Sequence, residues 1–278
     1  MGGRLARAGP AGKGLPGPRP AAGVRAMLSR ICYLGDDTVQ GAAGYLIGVM
    51  SHFGLAFDHV PSPEPPDAEF ASRQYALYVV SDYPAARFRA GQMEHIARCV
   101  ADGSGLAMFG GWESFFGRLG EYDRSPLADV LPVAMLDRDD RRNSAQPCLV
   151  EKVGEHPILG GLPWDEPPGI GGYNAVSAKP DAQTLLRAVH FSVRCRGGEF
   201  AFCRGESAPL LVVGAHGKGR TAALATDVAP HWVGGLVDWG DRRIHQEIPG
   251  GFIEVGNGYA EFFRNLLVWT GRISHASG

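Results

Sequence analysis

The chain has 278 residues, 45% of them apolar, with 27 Lys and Arg against 29 Asp and Glu, a formal net charge of -2. That length buries one large α/β core or two modest domains. The charge balance excludes a general nucleic-acid binder, and Gly, Pro or a charge interrupts every apolar window before it reaches membrane-spanning length.

Residues Met1 to Ala26 consist largely of Gly, Pro, Ala and Arg, with no acidic residue and no hydrophobic period. Such a segment cannot bury enough apolar area to offset chain entropy, so a disordered extension over 1–26 and a single domain over 27–278 are expected. Met27 would serve as an alternative start. The first strand is expected at Ser29–Leu34, followed by the polar loop Gly35-Asp36-Asp37-Thr38. Apolar residues then recur at three and four from Ala42 to Met50, which predicts a helix. Leu55–Val60 and Tyr75–Ser81 are the next strands, separated by the proline-rich loop Pro61–Pro66. Met93, Ile96, Ala97 and Val100 mark one face of a helix over Arg89–Asp102, which Gly103 closes.

Strand Gly105–Phe109 follows and runs directly into Gly110-Gly111-Trp112-Glu113-Ser114. Two glycines after a buried strand permit a sharp turn at its carboxyl end. This is the grammar of a nucleophile elbow, but Ser or Cys is absent from the reactive position. Strands separated by helices at this rhythm predict a parallel sheet with helices on both faces, and ligands bind beyond the carboxyl ends of such strands. Asp36, Asp37, Asp82 and Trp112 all fall at those ends.

Further along, Pro147–Val153, Thr184–His190, Pro209–Gly214 and Arg220–Thr226 are strand candidates, the last two forming an antiparallel hairpin around His216-Gly217-Lys218-Gly219. His156–Trp164 is expected to be extended and turn-rich, and Gly169–Asn174 too glycine-rich for regular structure. A helix is expected over Tyr259–Trp269, packed back on the sheet. The five cysteines are dispersed without CxxC spacing, as in reduced thiols of a cytoplasmic protein, although Cys195 and Cys203 fall where a hairpin could pair them.

Trp112 is either a stacking platform for a planar or sugar ligand or a plug in the nucleophile's place. Glu113 is either a general acid/base or the first-turn acid of a helix. His231 lies in a Pro-His-Trp turn four residues after Asp227, a spacing open to an oriented base or to a structural pair. Asp36 and Asp37, with Asp227 and His231, would suit a divalent metal only if the fold brought them together. Since no metal-binding spacing is present, neither metal nor cofactor is expected.

Tyr33-Leu34-Gly35-Asp36-Asp37, Leu106–Phe115 with its Gly-Gly-Trp, Gly217-Lys218-Gly219-Arg220, Thr226-Asp227-Val228-Ala229-Pro230-His231-Trp232 and Phe263-Arg264-Asn265-Leu266 together resemble the glutamine amidotransferase-like family, related to class I glutamine amidotransferases and ThuA-like proteins. The resemblance spans roughly 29–272. It implies a flavodoxin-like three-layer αβα sandwich, mostly parallel with a late antiparallel hairpin, and a ligand site at the elbow. It also implies an elbow Cys and a downstream His-x-Glu, neither of which is present: Gly111 and Trp112 occupy the elbow, and His231 is followed by Trp232 and Val233. An indole cannot replace a thiolate nucleophile. The expectation is therefore a protein without glutaminase activity that binds a small polar, sugar-like or amide ligand through Asp36, Asp37, Gly110, Gly111, Trp112 and Ser114. The alternatives are a hydrolase or isomerase using His231, Asp227 and Glu113, or an assembly module. No nucleic-acid or membrane partner is expected, and self-association around Trp232 and Trp239 is left open.

Overall fold

A computed structural model describes residues 29–274. The segment 1–26 and Met27 lie outside the described residues. Nine strands form one sheet, in the order β2 (Phe57–Val60), β1 (Ile31–Gly35), β3 (Leu77–Ser81), β4 (Gly105–Phe109), β11 (Gly219–Leu224), β10 (Glu199–His216), β9 (Gln183–Arg196), β6 (Arg141–Lys152) and β7 (Gly169–Asn174). Two further pairs stand apart, β5 (Val133–Ala134) with β8 (Ser177–Ala178), and β12 (Arg243–Ile248) with β13 (Gly251–Gly256).

Strands β1, β3 and β4 are buried at every position, as continuous apolar runs require when both faces of a sheet are covered. The helices are α1 (Ala43–His52), α2 (Gln92–Asp102), α3 (Pro126–Val130), α4 (Pro230–Val233) and α5 (Asn257–Gly271). Side chains alternate along a strand, so neighbours in sequence report opposite faces. The Arg220 guanidinium lies over the Trp269 ring of α5, whereas a Cβ at Gly219 would meet the Val100 carbonyl of α2 at 2.3 Å. Helices α2 and α5 therefore cover opposite faces. Helix α5 buries Tyr259, Phe262, Phe263, Leu266 and Leu267, the stripe its periodicity predicts, and Phe263 meets Phe109 edge-on with centroids 5.6 Å apart.

Three expectations change. The sheet is mixed rather than mostly parallel: β2-β1-β3-β4-β11 run parallel, but the pairings from β11 through β10, β9 and β6 to β7 are all antiparallel. The glycine-rich stretch Gly169–Asn174 is strand β7, because the missing side chain at Gly172 lets the Trp232 ring pack against its backbone; a Cβ there would lie 2.6 Å from the indole. Finally, β9 and β10 extend well past their expected ends into an arm turned at Gly197-Gly198, both with positive φ. Cys195 pairs across the arm with Phe200 and Cys203 with Ser192, so the two thiols project from opposite faces and do not form a disulfide.

Candidate functional site at the strand carboxyl ends

Three of the parallel strands deliver an aspartate to one point. Asp36 follows β1, Asp82 follows β3 and Asp227 lies just beyond β11, and one carboxylate oxygen from each falls within 4.8 Å of the others. Asp36 and Asp82 adopt the left-handed conformation, with φ of 47° and 45°, which turns both side chains across the strand ends. Asp36 and Asp227 are buried, at 4% and 5% exposure. The Tyr33 hydroxyl donates to Asp36 Oδ2 at 2.5 Å, the N–H groups of Val228 and Ala229 donate to Asp227 Oδ1 at 2.6 and 3.0 Å, and the Glu113 N–H donates to Asp82 Oδ1 at 2.8 Å.

Burial dominates the electrostatics. It pushes the Asp36 carboxyl up to about 8, with the Asp227 charge adding to the rise and the Tyr33 hydrogen bond opposing it. Burial likewise holds Asp227 above the usual carboxylate range against the two backbone donors, and holds Asp82 well above it with help from the charges of Asp227 and Asp36. Glu113 is raised by burial and lowered by Arg87. Asp36, Asp82 and Asp227 together form a closely spaced acidic floor.

Above that floor lies a cavity of about 350 Å³, lined by Asp36, Asp37, Ser62, Asp82, Arg87 and Glu113 among others. A larger apolar groove of about 640 Å³, lined by Leu149, Trp164, Val189, Phe191 and Phe202, lies on the antiparallel half, away from these acids. The elbow itself is bent backbone rather than a strand-to-helix turn: residues 111–120 form bends and turns. Glu113 therefore caps no helix, and its carboxyl faces the cavity. Ser114 is fully buried, its hydroxyl accepting from the Asp82 N–H at 2.9 Å, so it holds Asp82 instead of facing the cavity.

Trp112, 40% exposed, stands outside this cavity. The Arg141 guanidinium lies 4.4 Å above its ring, and His231 meets it edge-on at 6.0 Å. His231 is exposed, and no hydrogen bond among the described residues joins it to Asp227. The fold thus assembles two neighbouring features from the predicted residues: an acid-lined cavity of Asp36, Asp37 and Glu113, with Asp227 behind it, and an aromatic rim of Trp112 and His231. Gly110 and Gly111 supply backbone. A Cβ on Gly111 would sit 2.0 Å from Asp82 Oδ1, so the missing side chain is what admits Asp82.

Asn174, Asp140 and Arg141, and the central part of Asp82, go beyond the sequence reading. Asn174 is wholly buried and hydrogen-bonds Gly111 and Asp140, while Asp140 accepts from the N–H groups of Phe116 and Gly117 at 3.2 and 3.0 Å. The signal for Asp82 was its strand-end position. Asn174 and Asp140 come from the antiparallel half and carried no comparable signal.

Residues 77–246 match the sequence model of a family described as "Putative glutamine amidotransferase". Among solved structures, the cytoplasmic protein STM1381 from Salmonella typhimurium LT2 is 26% identical at a TM-score of 0.66, covering 87% of this chain and 99% of that one. The cytoplasmic protein STM3548 from Salmonella typhimurium is 24% identical at 0.65, covering 86% and 98%. A ThuA-like protein from Parabacteroides merdae shares the fold at 13% identity and a TM-score of 0.52, covering 90% and 92%. No curated protein matches the chain. Among the described residues, no helix is long and apolar enough to cross a membrane.

Proposed function

The chain belongs to the glutamine amidotransferase-like family, and we propose that this member binds a small, polyhydroxylated, sugar-like ligand in the acid-lined cavity and does not hydrolyse glutamine. The observation that carries this is the elbow, where Gly111 and Trp112 stand in the nucleophile's place and Asp82 fills the space a side chain at 111 would need. The elbow therefore offers no thiol or hydroxyl for attack on the glutamine amide. Asp36, Asp37, Asp82 and Glu113 instead present acceptors suited to ligand hydroxyls, and Arg87 supplies a donor. The same acids disfavour anions. Trp112 at the rim offers an exposed indole face beyond the cavity mouth. We take the parallel half, with strand order 2-1-3-4 and then β11, as a flavodoxin-like three-layer unit, residues 27–278 as one domain, and the protein as cytoplasmic.

One observation favours acid/base chemistry as a second reading: Glu113 lines the cavity with its pKa raised by burial, as a general acid requires. In that case Glu113 is the acid, and His231 acts from the rim without orientation by Asp227, whose Oδ1 is held by backbone donors.

Thermal-shift screening against simple sugars, polyols and glutamine tests the proposal. A sugar or polyol should raise the melting temperature, and Asp37→Asn, Glu113→Gln and Trp112→Ala should each reduce the response. No stabilising sugar, or variants that respond as the wild type does, would end it. Product formation from a sugar that Glu113→Gln abolishes would establish the second reading.

A further inference from the structure

We infer that the Asp36, Asp82 and Asp227 cluster, with the Ser81 hydroxyl, is a binding site for an oxygen-ligated divalent cation of calcium size. Each of the three carboxylates is held in place by a donor on one of its oxygens. Tyr33 occupies Asp36 Oδ2, Glu113 N–H occupies Asp82 Oδ1, and the Val228 and Ala229 N–H groups occupy Asp227 Oδ1. No hydrogen bond among the described residues is made to Asp82 Oδ2 or Asp227 Oδ2. Three carboxylates, each fixed by a donor on one oxygen, thus meet at one point.

Ser81 supplies the independent observation. Its side chain is 0% exposed, and its hydroxyl sits beside the Asp36 carboxylate without a well-formed hydrogen bond among the described residues. A buried orphan hydroxyl is costly unless something coordinates or accepts from it, and a hard cation takes such an oxygen as a neutral ligand. The ligand set favours a large ion. Calcium takes several protein oxygens at about 2.3–2.6 Å in flexible geometry, whereas magnesium uses one or two carboxylates and keeps its waters. The three carboxylate oxygens lie within 4.8 Å of one another, a spread that a calcium-sized ion can span. Asp36 and Asp82 also line the cavity, which gives the ion an entry path and leaves room for water on its open side.

Terbium(III) and calcium titrations of EDTA-stripped full-length protein test this. Tyr33, bonded to Asp36, should sensitise bound terbium, and calcium should displace it and raise the melting temperature. Asp82→Asn and Asp227→Asn should each weaken calcium binding about ten-fold or more, and Ser81→Ala should weaken it by less. The Asn variants remove like-charge repulsion and should fold without the cation. Should one fail to fold, Ser81→Ala gives the same readout, since loss of an orphan hydroxyl removes no hydrogen bond. Terbium emission no greater than that of Asp36→Asn, or calcium affinity unchanged in both Asp82→Asn and Ser81→Ala, overturns the assignment. Repeating the sugar screen in EDTA separates the two proposals: a sugar that stabilises where calcium does not leaves the ligand reading standing alone, and calcium binding with no sugar response leaves the cation site alone.

Discussion

Asn174 grips the Gly111 peptide from both sides, its Oδ1 accepting from the Gly111 N–H at 2.9 Å and its Nδ2 donating to the Gly111 carbonyl at 3.1 Å. The same Nδ2 donates to Asp140 Oδ1 at 2.7 Å, and Asp140 in turn receives two backbone N–H groups of the elbow. The end of β7 in the antiparallel half therefore sets the elbow of the parallel half. Such a wholly buried amide is expensive to lose, because its partners stay buried without replacements.

Replacing Asn174 by Ala should therefore lower unfolding free energy by about 2–4 kcal/mol, from two or more buried groups left unpaired. Asn174→Asp should be at least as harmful, since it places a carboxylate beside Asp140 and the Gly111 carbonyl. Urea denaturation of the two variants measures this. A loss below about 0.5 kcal/mol, the level typical of surface substitutions, would show that the clamp does not hold the elbow.

The second prediction concerns Gly111 and Asp82, which occupy overlapping space. A Cβ at 111 would lie 2.0 Å from Asp82 Oδ1 and 2.5 Å from Oδ2, so Gly111→Ala forces the carboxylate away or displaces the turn. Overpacking of this kind costs about 1–3 kcal/mol. Asp82→Ala vacates the space, and the double variant should recover part of the loss, giving a favourable coupling of about 1 kcal/mol in a double-mutant cycle. Strict additivity would mean that the two residues do not compete.

The parallel half was legible because β1, β3 and β4 are almost wholly apolar and the apolar residues of α2 and α5 recur with helical period. Strand-end position alone singles out Asp36, Asp37 and Asp82, and the Gly-Gly-Trp elbow is recognisable from local chemistry. What stayed hidden depends on long-range pairing. Gly169–Asn174 reads as a loop until Trp232 is seen to need the bare backbone at Gly172. Asn174 reaches Gly111 across 63 residues of sequence, and no local pattern announces such a contact. A spacing of four residues suggests a pairing of Asp227 with His231, but no hydrogen bond among the described residues joins them: the intervening N–H groups of Val228 and Ala229 take Asp227 Oδ1, and His231 meets the Trp112 ring instead.

Thiol chemistry gives a third prediction. Cys32, Cys99 and Cys148 are buried, and burial raises the pKa of each, while Cys195 and Cys203 are exposed on the arm. A disulfide-exchange reagent should modify two thiols rapidly in the native protein and the remaining three only on unfolding. Cys195→Ser with Cys203→Ser should abolish the rapid phase without changing ligand response. A rapid third thiol would reveal a reactive cysteine that the fold does not account for.

The last prediction follows His156, whose ring meets Trp269 edge-on at 4.7 Å and whose Nδ1 accepts from the Ile158 N–H at 3.3 Å. Only an unprotonated Nδ1 can accept. Burial lowers the His156 pKa and the nearby Arg220 charge lowers it further. Its folded value thus lies below the unfolded value of about 6.5. Above that pH both states hold a neutral ring and the contribution to stability is complete. As pH falls through 6.5 toward the folded value, the unfolded chain takes up a proton that the folded chain refuses, so stability declines, and it levels off once the folded ring is also charged. His156→Asn retains a side-chain acceptor for the Ile158 N–H but does not titrate. Between pH 7.5 and 5 the wild type should therefore lose more stability than His156→Asn in urea denaturation, with the other histidines cancelling in the difference. Parallel curves, or an NMR titration that places His156 at or above 6.5, would show that the ring's contacts impose no cost on its charge.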